Sequence, residues 1–274
     1  MSKTVPYAEV IGDPIEGSKS PEIHGFWLKK LKMKGEYRRH QVKRGELDAY
    51  VAERRSDKDW QGCNVTMPLK LDAIGVADRA TDLAIAAGAA NMLVHDNGTL
   101  VAGNSDVGAI VMLLKKLHDA GRAMGEVTLL GNGGAARAVL VAARTVGLTS
   151  ALTIQARDLT RATKLAVEFG LQRGPRPIDA PVTGDGLINA TPLGMTGHAD
   201  LPVGVEGLSE KGWVFDLVTS PPETALVRAA RAKGLGCVDG IAMLVEQAAT
   251  SFALFFGEEP PRQHDDELFA MLRP

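Results

Sequence analysis

The stretch Leu129-Leu130-Gly131-Asn132-Gly133-Gly134-Ala135-Ala136-Arg137-Ala138 constrains this chain more than any other. Val127-Thr128-Leu129-Leu130 is an apolar run suited to a buried strand, and Ala135 to Arg144 is rich in helix formers. A strand therefore enters a helix through glycines. In that setting the first glycine permits a tight turn and the second lets backbone approach a pyrophosphate. The small Ala136 lets helix and strand pack closely, and the helix N-terminus faces the phosphates. This reads as a dinucleotide site; the alternative is that the glycines serve only the steric needs of a strand-to-helix turn.

The rest of the chain alternates strand and helix signals. Tyr7 to Ile11, Tyr37 to Val42 and Gly62 to Val65 read as strands, and Pro21 to Leu31, Glu46 to Arg55 and Leu69 to Ala77 as helices. Asn91 to His95 and Leu100 to Ala102 flank Asp96-Asn97-Gly98-Thr99, a strong hairpin signal. Ile110, Leu113, Leu114 and Leu117 recur at helical spacing and predict a helix over Ala109 to Ala120 that links two lobes. After Val127 the second lobe reads as a helix from Ala135, a strand at Ala151 to Ile154, a helix at Thr160 to Phe169 and strands near Leu187-Ile188 and Val214 to Val218. A helix at Glu223 to Lys233 and a strand at Cys237-Val238 close it. That order implies parallel strands joined by right-handed crossovers. A last helix from Ile241 carries the apolar stripe Ile241, Leu244, Val245, Ala248, Phe252 and Phe255, expected to pack back on the first lobe. The charged tail beyond Pro260-Pro261 reads as half helical, with no role to assign.

The balance of the chain excludes several classes of function. A length of 274 residues with 45% hydrophobic residues leaves room for two lobes with real cores. A net charge of -2 gives no electrostatic reason to expect nucleic acid or an anionic membrane. Even Ile241 to Phe256 is interrupted by Glu246, Gln247 and Ser251, so no membrane span is expected. Two cysteines, Cys63 and Cys237, are too few for a disulfide framework, and the N-terminus lacks the apolar core of a signal peptide; a reducing cytoplasm fits best. None of the six histidines has a partner at metal-ligand spacing, so no metal is expected.

Candidate chemistry sits mostly outside the glycine loop. Gly17-Ser18-Lys19-Ser20-Pro21 opens a helix; its two hydroxyls can bind a carboxylate, or the Ser-Pro pair can be an ordinary cap. Asn64 and Thr66 alternate on one strand face, and Lys70 is expected in the first turn of the following helix, against the helix dipole. Asp106, in Gly103-Asn104-Ser105-Asp106-Val107-Gly108, reads either as a helix cap or as a working carboxylate. Asn91 poses the same question at a strand start. Gln247 interrupts an apolar helix face and needs a partner there.

Taken together these pieces resemble the shikimate dehydrogenase family. The resemblance is carried by Val10-Ile11-Gly12-Asp13-Pro14-Ile15, Ser18 to His24, Gly62 to Lys70, Ala87-Gly88-Ala89-Ala90-Asn91, Gly103 to Asp106, the glycine loop, Asn189 to Met195 and Met243 to Ala248, spanning about residues 8 to 257. It implies an α/β fold of two lobes with a cleft. A catalytic, substrate-binding lobe over residues 1–106 is completed by 240–274, and a Rossmann-like NADP-binding lobe with a parallel sheet covers 107–239. The implied activity is reversible NADPH-dependent reduction of 3-dehydroshikimate to shikimate. The alternatives are a quinate or quinate/shikimate dehydrogenase using NAD, a related cyclic hydroxy-acid dehydrogenase, or a nucleotide-sensing module without chemistry.

By that resemblance Lys70 and Asp106 are the catalytic pair. Ser18 and Ser20 take the substrate carboxylate, while Asn64, Thr66, Asn91 and Gln247 take ring hydroxyls. Gly131, Asn132, Gly133, Gly134, Ala135, Thr191, Leu217 and Gly240 are implied to bind the cofactor. Thr219 stands where the family usually has a Tyr that helps hold the carboxylate, and Met92 where a Thr is common, which leaves the identity of the acid open. Ala156-Arg157-Asp158 with Arg161 replaces the Asn-Arg-Thr of NADP users; both arginines suit a 2′-phosphate, so NADP is expected, with NAD the alternative raised by Asp158. The implied partners are a small cyclic hydroxy acid and, at most, a second copy of the chain: a monomer or homodimer.

Overall fold

The computed structural model describes residues 5–273. The chain divides into two compact units: residues up to Ser105 together with Val245 onward, and Asp106–Leu244.

The first unit opens with β1 (Tyr7–Gly12), α1 (Ser20–Lys30), β2 (Glu36–Gln41), α2 (Leu47–Arg54) and β3 (Trp60–Val65). There follow β4 (Arg79–Ala80), α3 (Asp82–Ala87) and the hairpin β5 (Met92–Asp96) with β6 (Thr99–Gly103), joined at Asn97-Gly98. The sheet order is β2-β1-β3-β5-β6-β4. β1 pairs in parallel with β2 and β3, whereas β5 runs antiparallel to β3 and β6. Every residue of the central β1 is buried, as a strand covered on both faces requires. Ile11, Trp60, Leu93 and Leu100 pack on one face, and Ala8, Val10, Tyr37, Met92 and Phe255 on the other. Glu9 is the polar exception in β1; Tyr50 and Arg54 of α2 hold its carboxylate at 2.7 and 2.9 Å.

The second unit contains α4 (Ser105–Asp119) from its second residue, then β7 (Val127–Leu130), α5 (Gly134–Thr145), β8 (Leu152–Ala156), α6 (Leu159–Glu168), β9 (Arg176–Pro177), β10 (Gly184–Asn189), β11 (Leu208–Asp216), α7 (Ala225–Ala232) and β12 (Gly236–Val238). Its sheet is wholly parallel, in the order β12-β11-β10-β7-β8-β9. The chain steps outward from β7 to β9, then restarts on the other side of β7 at β10. That reversal places the topological switch point between β7 and β10, where doubly wound sheets bind ligands beyond their strand ends. α8 (Gly240–Phe256) begins in this unit and ends in the first, where α9 (Asp265–Leu272) follows. Among the described residues no helix is long and apolar enough to cross a membrane.

Three local expectations are corrected. Leu69 to Ala77 is not a helix but a run of turns. The Lys70 carbonyl, which an α-helix would offer to Ile74, accepts instead from the Ala90 N–H at 2.8 Å, and apart from one α-type bond from the Ala73 N–H to the Leu69 carbonyl the N–H groups of Leu69, Asp72, Gly75 and Ala77 close three-residue turns. Lys70 is thus not set against a helix dipole. α4 starts at Ser105, not after Gly108; a glycine inside an exposed turn costs a helix only about 1 kcal/mol, too little to break it. β4, α3 and α9 add elements that the alternation leaves out or leaves vague, with α3 bounded by a Thr81 cap and a left-handed Gly88.

Candidate active site

In the first unit a hydrogen-bonded run joins most of the expected substrate-binding residues. The Ser20 hydroxyl bonds Tyr37, whose own hydroxyl donates to the Asn64 amide oxygen at 2.6 Å. Asn64 Nδ2 donates to the Asn91 carbonyl at 3.4 Å. Asn91 Oδ1 accepts from the Ser105 N–H at 2.8 Å, and Asn91 Nδ2 reaches Ser105 Oγ at 2.9 Å and Gln247 Oε1 at 3.3 Å. Ser105 Oγ also donates to Gln247 Oε1 at 3.3 Å. Five elements contribute: α1, β2, β3, the start of α4, and α8. Gln247 therefore has the polar partners that its place on an apolar helix face demands.

The hydroxyls of Ser18 and Ser20 do not occupy the cap position of α1. Lys19 stands there, without a side-chain cap, and Pro21 fills the first turn where an N–H would go unused. Thr66 leaves β3 with its N–H on the Ile11 carbonyl, and its methyl packs so close to Gly12 that a Cβ there would lie 2.5 Å away. Lys70 is half-buried in the turn that Ala90 anchors. Asp106 is the second residue of α4, inside the first turn and buried, so it is past the cap position; a carboxylate there is favoured by the helix dipole. Met92 folds its side chain over Gly103 within the apolar cluster of Tyr37 and Val10.

Two residues of this run do not stand out in the sequence. Tyr37 is the one fully buried position of an otherwise polar strand, EYRRHQ, and only that burial pattern marks it. Burial raises its phenol well above the usual tyrosine range, so it stays a proton donor. Ser105 registers in the sequence only as a hydroxyl standing where the family resemblance has a Thr before Asp106, with no contact to read from it.

In the second unit the ends of β7, β8, β10 and β11 build a cradle. Gly131, with φ +109°, lies so close to the next loop that a Cβ would stand 3.0 Å from both the Ala190 carbonyl and Thr191 Cγ2. Gly133 is the N-cap of α5 and has no side chain to satisfy the first-turn N–H groups; nothing lies within 4 Å of where its Cβ would be. Ala136 is fully buried beneath, as close helix–sheet packing asks. Glycine backbone, open space and free helix N–H groups together fit a pyrophosphate.

Asn132 ties this loop to the next one by donating to the Asp158 carbonyl at 3.2 Å. Asp158 itself caps α6: its carboxylate accepts from the Arg161 N–H at 2.9 Å. It is spent on the helix rather than offered to a ribose. Arg157 lines a pocket with Ala156, Leu159, Pro177, Ile178, Asp179 and Pro202, and among the described residues neither Arg157 nor Arg161 has an ion-pair partner. That arrangement suits a phosphate more than a bare ribose hydroxyl.

Behind the cradle, buried Asn189 accepts from the Thr191 hydroxyl at 2.7 Å and donates to Asp216 at 2.9 Å. Thr224 donates to the other Asp216 oxygen at 2.6 Å and the Val218 N–H to the first at 3.1 Å. Burial pushes the Asp216 carboxyl above its usual range, while these three donors oppose the shift. The network fixes the loops that carry Thr191, Leu217 and Thr219, and a Cβ on Gly240 would lie 2.0 Å from the Val218 carbonyl, so only glycine starts α8 there. Among the described residues no group of three or more His, Cys, Asp or Glu could hold a metal.

Comparison with known proteins gives matches along nearly the whole chain. Residues 10–93 match the shikimate dehydrogenase substrate binding domain, and residues 240–265 the shikimate 5′-dehydrogenase C-terminal domain. A shikimate dehydrogenase (NADP(+)) of Sphingopyxis alaskensis is 45% identical over 271 residues, covering 97% of each chain. The structure of shikimate 5-dehydrogenase from Thermus thermophilus in complex with NADP(H) and shikimate superposes with a TM-score of 0.84 at 32% identity, over 98% of this chain and 100% of that one. Quinate dehydrogenase from Corynebacterium glutamicum in complex with NAD gives 0.83 at 28% identity, over 97% and 99%.

Proposed function

The chain belongs to the shikimate dehydrogenase family, and we infer from that premise that it is an NADP-dependent oxidoreductase interconverting 3-dehydroshikimate and shikimate. The observation that carries the substrate class is the buried run of hydroxyl and amide groups from Ser20 to Gln247. A polyhydroxylated cyclic acid needs such a lining, and a lining of this kind rejects analogues that would leave its own polar groups unpaired.

The bound nucleotide would supply the hydride as NADPH, or accept it as NADP+, at the carbon that carries the reacting oxygen. Lys70, as an ammonium, stabilises the negative charge that grows on that oxygen during reduction and gives it a proton; in oxidation the neutral amine takes the proton back. Asp106 orients the Lys70 amine and accepts from substrate hydroxyls. Ser18 and Ser20 donate to the carboxylate, with Thr219 contributing a shorter reach than a Tyr would. Thr66, Asn64, Asn91 and Gln247 take the ring hydroxyls. Gly131, Asn132, Gly133, Gly134 and Ala135 hold the pyrophosphate, Arg157 and Arg161 the 2′-phosphate, and Thr191, Leu217 and Gly240 the rest of the nucleotide. Both cysteines are free, which suits the reducing cytoplasm, where the chain works as a monomer or homodimer.

A kinetic panel of shikimate and quinate against NADP and NAD tests this reading. The highest kcat/KM is expected for shikimate with NADP. A preference for quinate with NAD would overturn both the substrate and the cofactor.

A further inference from the structure

The loop that presents Ser18 and Ser20 is gripped from two directions by cations that take no part in the chemistry above. Arg39, on β2, donates from Nε at 2.9 Å and from Nη2 at 2.5 Å to the Ser18 carbonyl oxygen. The same Nη2 lies 2.6 and 2.8 Å from the two carboxylate oxygens of Glu22 on α1. From the other side, Lys19 Nζ donates at 2.9 Å to the Leu272 carbonyl, at the C-terminal end of α9. The loop's other ties are the Ser18 N–H on the Ile15 carbonyl at 3.0 Å and the Ser20 hydroxyl on Tyr37, neither of which holds the Ser18 carbonyl or the Lys19 side chain. No side chain caps α1, and the contact between the Ser20 N–H and Ser18 Oγ is long, at 3.4 Å.

The ion pair among these contacts does little for stability. The Arg39–Glu22 pair is a third to a half exposed, and ion pairs in that setting contribute little to folding. A two-pronged guanidinium on one carbonyl is, however, a geometric constraint: it fixes both position and direction of the Ser18 peptide. Lys19, whose backbone lies between the two serines, fixes the next peptide against α9, which is itself seated by Lys30 on Glu267 and by Arg262 on Glu246 and Asp265.

We propose that Arg39, held by Glu22, and Lys19, held by the end of α9, are positioning residues for the substrate carboxylate, acting through the Ser18-Lys19-Ser20 loop. The proposal rests on the reading of Ser18 and Ser20 as the carboxylate-binding hydroxyls. It gives the C-terminal tail a part in substrate recognition that involves no contact with substrate.

The test uses the full chain with shikimate and with its methyl ester, which keeps the ring hydroxyls but lacks the carboxylate charge. Arg39→Ala and Lys19→Met are each expected to raise KM for shikimate about 10-fold, the scale of one misplaced hydrogen bond to a charged group. Both should leave kcat, the KM for NADP and the KM for the ester unchanged. Arg39→Lys, which keeps the charge but offers one nitrogen in place of the two-pronged fork, should recover part of the loss, and Arg39→Ala should add little to Ser18→Ala because the two act through one contact. Equal losses on acid and ester, or none on either, would overturn the proposal while Ser18→Ala still weakens shikimate alone. If Ser18→Ala itself leaves shikimate KM unchanged, the carboxylate reading fails and the positioning role fails with it.

Discussion

The phenol of Tyr37 donates to the amide oxygen of Asn64 over 2.6 Å, and this bond decides which way the Asn64 amide faces. Asn64 Nδ2 is thereby turned toward the Asn91 carbonyl, and Asn91 in turn toward Ser105 and Gln247. Tyr37→Phe keeps the ring and its stacking on His24 but leaves a buried acceptor unsatisfied. It is expected to destabilise the chain by about 1–3 kcal/mol and to lower kcat/KM for shikimate. Denaturant unfolding and steady-state kinetics on the same preparation check both effects.

Lys70→Ala removes the only group assigned to proton transfer. Turnover is expected to fall by about 10²–10⁴-fold, the range that general acid–base catalysis supplies, with a much smaller change in substrate binding. Stopped-flow absorbance at the reduced nicotinamide band, together with a binding titration, separates the two. Unchanged turnover would remove Lys70 from the mechanism.

Arg157→Ala and Arg161→Ala should each raise KM for NADPH by about 10-fold or more, as expected for a lost charge-assisted hydrogen bond, while NADH kinetics stay nearly constant. Asp158→Ala tests the complementary point. Because the Asp158 carboxylate caps α6, its loss should lower thermal stability slightly without creating or abolishing NAD use.

Arg54→Met leaves the Glu9 carboxylate buried with one partner fewer. Breaking a buried ion pair from one side costs about 3–5 kcal/mol, so a large fall in the denaturant midpoint is expected, with little change in the KM values of the protein that remains folded. Glu9→Gln combined with Arg54→Met should recover part of that loss.

His24 supplies a pH dependence. Burial among Trp27, Tyr37, Phe252 and Phe255 pushes its pKa down to about 3 from an ordinary value of 6.5, and among the described residues neither ring nitrogen has a hydrogen-bond partner. Between those two values the unfolded chain binds a proton that the folded chain refuses. Its contribution to stability is therefore complete above pH 6.5 and is lost as the pH falls toward 3, by at most about 1.4 kcal/mol per pH unit. Unfolding free energies at about pH 7.5, 6 and 5, on either side of the ordinary histidine value, compared with those of His24→Phe, isolate this slope: the variant should lose less stability on acidification than the parent.

Much of this organisation is legible from residue patterns because it rests on local signals. The glycine loop, the Asn97-Gly98 hairpin and the strand–helix alternation of the second unit all declare themselves within a few residues. Lys70 stands out in the sequence, but the kind of element that carries it does not. What decides its backbone is the N–H of Ala90, far along the chain, and no local pattern announces such a partner. Tyr37 carries no local mark for the same reason: its meaning lies in Asn64, across the sheet. Asp158 is ambiguous in sequence because a carboxylate near a strand end can serve a ribose or a helix, and only the 2.9 Å bond to the Arg161 N–H distinguishes them. The tail reads as charged and without a role because its contacts, Lys19 with Leu272 and Lys30 with Glu267, join opposite ends of the chain.

The hydrogen-bonded run from Ser20 through Tyr37, Asn64, Asn91 and Ser105 to Gln247 also bears on how this lining could be re-engineered for another acid. Each member orients the next, so exchanging one amide or hydroxyl disturbs several, and single substitutions there should be poor routes to a new preference. Thr219 stands in a loop after β11 and is no member of that run. Change is cheapest where a side chain orients nothing else, and on the proposed role of Thr219 at the substrate carboxylate a library aimed at a different ring acid should begin there.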